Sequence, residues 1–274
     1  MDSYETLKAK IYAEIGFHCD QYKERPFKRR LAVRMRANRV ETYEEYLKVL
    51  EVRPQEYEAL LDALTINLSK FFRNPETFFA VEARVLPELS TACLAAAHKK
   101  LLAWSAGCAS GEEAYSLAML LEEHFRKVGL RCPYQIIGTD IDQVCLVRAR
   151  KGEYGSFAIS ECPPELVRRY FKSNGSFQVV SDIRLQVVFA LADLTDLDRP
   201  EILPKLRQVD LLFFRNVLIY LERRAQERIL LAMAKRLRPG GYLVLGKVET
   251  LMGEPRNLFE VVDARERIFR RRTS

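Results

Sequence analysis

Two glycines, two carboxylates and a third carboxylate one strand later are the residues of this sequence best suited to chemistry. The first four lie in Trp104-Ser105-Ala106-Gly107-Cys108-Ala109-Ser110-Gly111-Glu112-Glu113, which follows Leu101-Leu102-Ala103 and runs into an amphipathic segment. An apolar run without alternation reads as a parallel strand covered on both faces, and small residues with glycine let the backbone come close to a ligand. A second run, Gln135-Ile136-Ile137-Gly138-Thr139-Asp140, ends in a carboxylate placed to accept ribose hydroxyls. Phosphate is a poor ligand here. Neither a loop ending in Gly-Lys-Ser or Gly-Lys-Thr nor a G-x-G-x-x-G turn is present, and Glu112 and Glu113 repel an anion at a helix N-terminus. A nucleoside with a positive charge suits both features, and S-adenosylmethionine is one.

Those turns need a sheet to hold them. At 274 residues and 48% hydrophobic content, the chain can bury one large core and a smaller one. Past Asp140, Asp142 caps a helix that ends in Gly152-Glu153-Tyr154-Gly155-Ser156. Residues 152 to about 191 lose the strand–helix rhythm, and the short runs Phe177 to Val180 and Leu185 to Ala190 predict a small antiparallel insertion, a candidate partner module. The rhythm resumes with Val209 to Phe214, a helix from about Arg223 to Leu237, a Pro239-Gly240-Gly241 stop and a strand from Tyr242 to Gly246. A final β pair lies around Phe259 to Val262 and Arg267 to Phe269. Strands alternating with helices predict an α/β, doubly wound sheet with its ligand at the carboxyl ends.

Residues 1 to about 65 read as a small helical domain. Asp2-x-x-Glu5 and Thr42-x-x-Glu45 are capping boxes, and Tyr57, Leu60, Leu61 and Leu64 make an apolar stripe. In the basic stretch from Lys23, Pro26 suits a first helical turn and Phe27, Leu31 and Met35 recur as an inward stripe. Lys28, Arg29, Arg36 and Arg39 then point outward, either as a solvated face or as a docking face for an acidic partner. Before the sheet, Asn67, Ser69 and Arg73 interleave with apolar residues, and an Arg there can hold a carboxylate bidentately. Asn74 and Pro75 open the next helix as cap and first residue.

Composition narrows the function classes. No apolar run approaches the roughly 18 residues of a spanning helix, and Met1-Asp2-Ser3-Tyr4-Glu5 lacks a signal-like core, so a cytoplasmic location without membrane insertion is expected. Six cysteines without a CxxC and three histidines without ligand spacing indicate no metal and no disulfide framework; buried or idle thiols are expected. The net charge of +7 raises the question of nucleic acid, but Asn216 is followed by Val-Leu-Ile-Tyr rather than by Pro-Pro and an aromatic residue, and no RNA-binding signature accompanies it.

Four ordered motifs spanning nearly the whole length are similar to the chemotaxis receptor glutamate methyltransferases, the CheR family. They are TINLSKFFRN at 65–74, WSAGCASGEEAYSLAM at 104–119, GTDIDQ at 138–143 with the following ARKGEY, and FFRNVLIYLERRAQERIL at 213–230. The resemblance implies an N-terminal all-α domain, 1–72, that docks the receptor, and a class I S-adenosylmethionine-dependent methyltransferase domain, 73–274, with a β-subdomain insertion at about 152–191. It implies that Asn67, Ser69 and Arg73 contact the cofactor, that Glu113 and Asp140 serve its amino group and ribose, and that Asp193, Leu194, Arg215 and Asn216 form the adenosine side. Arg73 and Tyr220 would bracket the reacting carboxylate. The implied partner is the acidic helical bundle of a chemoreceptor, met by Lys28, Arg29, Arg36 and Arg39; no nucleic acid is involved and a monomer is expected. The rival is a catalytically silent cofactor-binding adaptor. Ser69 stands where Thr is common, Ala114 where Pro is common, and Gly246-Lys247-Val248-Glu249 where Gly-His-Ser-Glu is frequent.

Overall fold

A computed structural model describes residues 2–65, 67–95, 100–197, 206 and 208–273. The chain divides into two compact units, Met1–Asn67 with Tyr220–Gln226, and Leu68–Ile219 with Glu227–Ser274.

The first unit is helical: α1 (Ser3–Ile15), α2 (Glu24–Ala37), α3 (Tyr43–Val52) and α4 (Glu56–Leu64). Phe27, Leu31 and Met35 are the buried stripe of α2, as their spacing predicts. Thr42 and Glu45 form the full capping box, whereas Asp2 caps α1 by accepting from the Tyr4 N–H. Two basic residues of α2 serve the fold: Arg34 pairs with the buried Glu56 at 2.8 Å, and Arg30 donates to the Ala63 carbonyl.

The second unit is built on a seven-stranded sheet. Its elements are α5 (Pro75–Arg84), α6 (Leu86–Ala95), β1 (Leu101–Ala106), α7 (Glu112–Val128), β2 (Tyr134–Asp140), α8 (Gln143–Lys151), β3 (Glu153–Tyr154), α9 (Pro164–Tyr170), β4 (Phe171–Ser173), β5 (Phe177–Val179), α10 (Ser181–Arg184), β6 (Val187–Leu191), β7 (Val209–Phe214), α11 (Arg223–Arg236) from Glu227 onward, β8 (Leu237–Leu245), β9 (Phe259–Asp263) and β10 (Ile268–Arg271). The strand order is β6-β2-β1-β7-β8-β10-β9, parallel from β6 to β8 and antiparallel at β10 and β9. Central β1 and β7 are almost wholly buried, which explains their unbroken apolar character. The carboxyl ends of β1, β2 and β7 therefore lie side by side, and their turns converge.

Three expectations change. The run Leu185 to Ala190 contributes to β6, which pairs in parallel with β2 in the main sheet, so the antiparallel insertion holds only β3, β5 and β4. Local composition cannot distinguish an edge strand of the main sheet from a strand of an insertion. The packing boundary falls between Asn67 and Leu68, ahead of 72/73, because residues 71–74 bond to the second unit: the Phe71 N–H to the Ala158 carbonyl, the Phe72 N–H to Ser116 and the Asn74 N–H to Glu161. Finally, Cys93 and Cys132 form a disulfide, while Cys19, Cys108, Cys145 and Cys162 are buried thiols. The two bonded cysteines are 39 residues apart and only tertiary packing brings their Cα atoms to 6.3 Å.

Candidate active site

The convergent turns carry most of the strained backbone. Among the described residues, Phe72, Asn74, Ala109 and Asn216 are non-glycine residues with positive φ, alongside Gly107 and Gly111. Such conformations cost roughly 1–3 kcal/mol each and persist where surrounding contacts over-determine them. Those contacts are visible. The Phe72 N–H donates to Ser116 Oγ at 2.9 Å, the Asn74 N–H donates to Glu161 at 3.0 Å, and the Ala109 N–H donates to Asp140 Oδ2 at 2.8 Å. The two glycines are needed for close approach, since a Cβ on Gly107 would meet the Val217 side chain at 2.6 Å and one on Gly111 would meet Ala149 and Phe189 within 3 Å.

Asp140 ends β2 as predicted. Its second oxygen accepts the Asp142 N–H at 3.0 Å; burial raises its pKa, opposed by these backbone donors. Each carboxylate oxygen retains a second lone pair for a hydroxyl. Glu113 accepts from Ser105 Oγ at 2.8 Å and pairs with Arg215 at 3.2 Å; burial raises its pKa, and Arg215 and Ser105 pull the other way. Arg215 is 4% exposed, lies 5.5 Å from the Phe78 ring centroid, and donates to the Arg73 carbonyl at 2.9 Å and Asn74 Oδ1 at 3.0 Å. It therefore ties the head of α7 to the turn that carries Arg73.

That contact corrects one expectation. Asn74 does not cap α5 with its side chain, because its amide oxygen receives Arg215 and its own φ is +61°. The helix starts on Pro75, whose missing N–H needs no cap.

The sequence marks Glu112 only as one of two adjacent carboxylates and gives it no specific role; it is 5% exposed with Oε2 unpartnered. Burial pushes its pKa up to about 7, opposed by its own backbone N–H, Ser69 and Ser110. Ser69 thus lies beside Glu112, and Arg73 donates to the Leu68 carbonyl at 3.0 Å. Asp193 folds into an Asx turn, accepting from the Thr195 N–H and hydroxyl, with Leu194 buried next to it; the preceding Ala192 N–H donates to the Asp140 carbonyl. Asn216 follows Arg215 at the end of β7, with φ +62°. The second unit thereby unites Ser69, Arg73, Glu113, Asp140, Arg215 and Asn216 around three strand ends.

Two expected site residues belong to the helical unit. Asn67 donates to Asp62 at 3.2 Å and Thr65 at 3.1 Å. Tyr220 accepts the Lys23 N–H on its carbonyl, and its ring lies 6.0 Å from the Arg30 guanidinium, beside Phe17, Tyr22 and Leu64. On α2, Arg29 and Arg36 are exposed, as is Arg39 just past the helix, while Lys28 pairs with Glu24 at 2.6 Å and lies over the Tyr4 ring at 4.4 Å. Lys247, the departure noted in sequence, is held by Glu76 at 3.2 Å and Glu266 at 3.6 Å.

The donor set fits S-adenosylmethionine. Acidic groups line the strand ends, the buried Arg215 is compensated by Glu113, and a buried Glu112 oxygen awaits a donor. Among the described residues no helix is long and apolar enough to cross a membrane.

Comparison with known proteins agrees. The model of the "CheR methyltransferase, SAM binding domain" matches residues 67–268 and that of the "CheR methyltransferase, all-alpha domain" matches residues 2–65. The chain is 38% identical over 204 residues to chemotaxis protein methyltransferase 1 of Pseudomonas aeruginosa, covering 72% of this chain and 71% of that protein. It is 34% identical over 243 residues to the chemotaxis protein methyltransferase of Listeria monocytogenes, covering 88% and 87%. An uncharacterized 104.1 kDa protein of Rhodobacter capsulatus is 34% identical over 249 residues; the match takes in 90% of this chain but only 25% of that longer protein. With both domains matched and the expected sheet in place, the chain belongs to the CheR methyltransferase family and binds S-adenosylmethionine.

Proposed function

We propose that this protein methylates glutamate side chains of a chemoreceptor's cytoplasmic bundle, as a protein-glutamate O-methyltransferase. The observation that supports it most is the Arg73 turn, where an Arg is presented between two residues of positive φ and held by Ser116, Glu161 and Arg215 beside the acidic strand ends. S-adenosylmethionine supplies an electrophilic methyl on a sulfonium. A glutamate carboxylate is already ionised at pH 7 and so is itself the nucleophile; no general base is needed. With the methyl donor bound, that oxygen would take the methyl as the S–C bond breaks, and the carboxylate and sulfonium charges would both be neutralised.

The protein's work is then alignment and exclusion of water. Arg73 orients the carboxylate as a positioning group; a tighter cation would stabilise the ground state more than the transition state and slow transfer. Glu113 and Asp140 supply acceptors for the cofactor's amino group and ribose, and Asp193, Leu194 and Asn216 its adenosine side. Tyr220 enters this reading through its family motif, and Tyr220→Phe should lower turnover with cofactor affinity unchanged. Lys28, Arg29, Arg36 and Arg39 steer the acidic receptor bundle to the helical unit.

The experiment is transfer of radiolabelled methyl from S-adenosylmethionine to a receptor cytoplasmic fragment, with base-labile methanol as the readout. Label released by base establishes a carboxyl methyl ester. Cofactor binding in a calorimeter without any transfer would overturn this reading in favour of a silent adaptor.

A further inference from the structure

The Gly246-Lys247-Val248-Glu249 segment departs from the family string, and its last residue does something the motif does not reveal. Glu249 is 3% exposed, but no cation neutralises it in the structure's described contacts; its partners are backbone N–H groups. Oε2 accepts from Gly246 at 2.7 Å and Asn216 at 2.9 Å, Oε1 accepts from Ile219 at 3.3 Å, and the Leu218 N–H adds a further donor. The Glu249 N–H closes the turn on the Gly246 carbonyl at 2.9 Å.

The loop from Arg215 to Ile219 is thus wrapped on a buried carboxylate, and two glycines make room for it. A Cβ on Gly246 would meet Glu249 Oε2 at 2.7 Å and the Asn216 N at 2.9 Å; a Cβ on Gly107 would meet Val217 at 2.6 Å. The loop lies between the two turns, and its Asn216 takes a left-handed conformation that only such contacts sustain. Lys247 projects away, held by Glu76 and Glu266, with its carbonyl accepting from Arg267.

We propose that Glu249 is a positioning residue for cofactor binding: its carboxylate sets the Arg215–Ile219 loop, and through it places Asn216 and seats Val217 against the Gly107 turn. The inference rests on the methyltransferase reading above. Glu249→Gln replaces one acceptor oxygen with a donor that faces backbone N–H groups, so the loop must shift; unpaired buried donors typically cost enough for about a tenfold effect each.

The test is calorimetric titration of S-adenosylhomocysteine into the wild type, Glu249→Gln, Glu249→Asp and Lys247→Ala, with melting curves and KM values for both substrates. Glu249→Gln should weaken binding about tenfold or more and raise the S-adenosylmethionine KM in step, with the receptor-fragment KM unchanged. Lys247→Ala should bind like wild type. Should the Gln variant not fold, Glu249→Asp carries the test, since it keeps the charge but draws the oxygens back by one methylene and should still weaken binding several-fold. A folded variant with wild-type affinity, or an equal rise in both KM values, overturns the proposal. Failure of the wild type to bind at all removes the methyltransferase reading and this inference with it.

Discussion

The ends of β1, β2 and β7 and the outer face of α2 are both rich in charge, and the charges do opposite kinds of work. At the strand ends Glu112, Asp140, Arg215 and Glu249 are buried and Glu113 is half-buried, and most have specific partners such as Ser105, the Ala109 N–H or the Asn216 N–H. On α2, Arg29 and Arg36 face solvent, and Lys28 makes an exposed pair with Glu24. Buried charge is screened little and misplacing it is costly; exposed charge acts at a distance and fades with salt. The first kind fixes geometry, and the second can only steer.

Four experiments can break or sharpen that contrast. Arg215→Ala removes the buried cation of the Glu113 pair and frees the Arg73–Asn74 turn, so stability should fall by about 3–5 kcal/mol, read by chemical denaturation. A loss under 1 kcal/mol, on the same order as an exposed pair, would erase the distinction. Arg73→Ala should lower turnover roughly 10²–10³-fold with little change in melting temperature, as removal of a preorganised polar group does. Near-normal turnover would take Arg73 out of the site.

Glu112 gives a pH signature. Its folded pKa is about 7 against an ordinary 4.5, because burial disfavours the charged form, so the folded state binds the proton more tightly than the unfolded chain. Stability is therefore fully present below about pH 4.5 and declines as pH rises to about 7. Glu112→Gln should match wild type near pH 4 and exceed it at pH 8, by up to about 3 kcal/mol. Parallel pH profiles for the two proteins would show that Glu112 is not the titrating group. The smallest effect belongs to α2, where Arg29→Glu with Arg36→Glu should raise receptor-fragment KM several-fold at low salt, with the difference shrinking above about 0.5 M and cofactor affinity unchanged.

Much of this was legible in sequence because it depends on local periodicity. Phe27, Leu31 and Met35 mark a helix face, unbroken apolar runs mark β1 and β7, and Asp140 closes β2 at its carboxyl end. What escaped depends on partners far along the chain. Glu112 and Glu113 are adjacent, yet one faces Ser69 and the other Ser105 and Arg215. Asn74 reads as a cap but takes Arg215, which lies 141 residues away. Lys247 stands in a family motif but pairs outward, whereas Glu249, two residues on, faces the loop from β7.

By itself the sequence determined the helical first unit, the alternation of strands and helices, the glycine turn and the acidic residue ending β2, because each follows from side-chain spacing and backbone freedom over a few residues. Tertiary structure alone decided that β6 joins the main sheet, that Cys93 meets Cys132, and which carboxylate is compensated by a cation, by backbone N–H groups, or left with an open oxygen at Glu112. Those outcomes depend on which strands become neighbours, and burial then sets how strongly each charge must be matched.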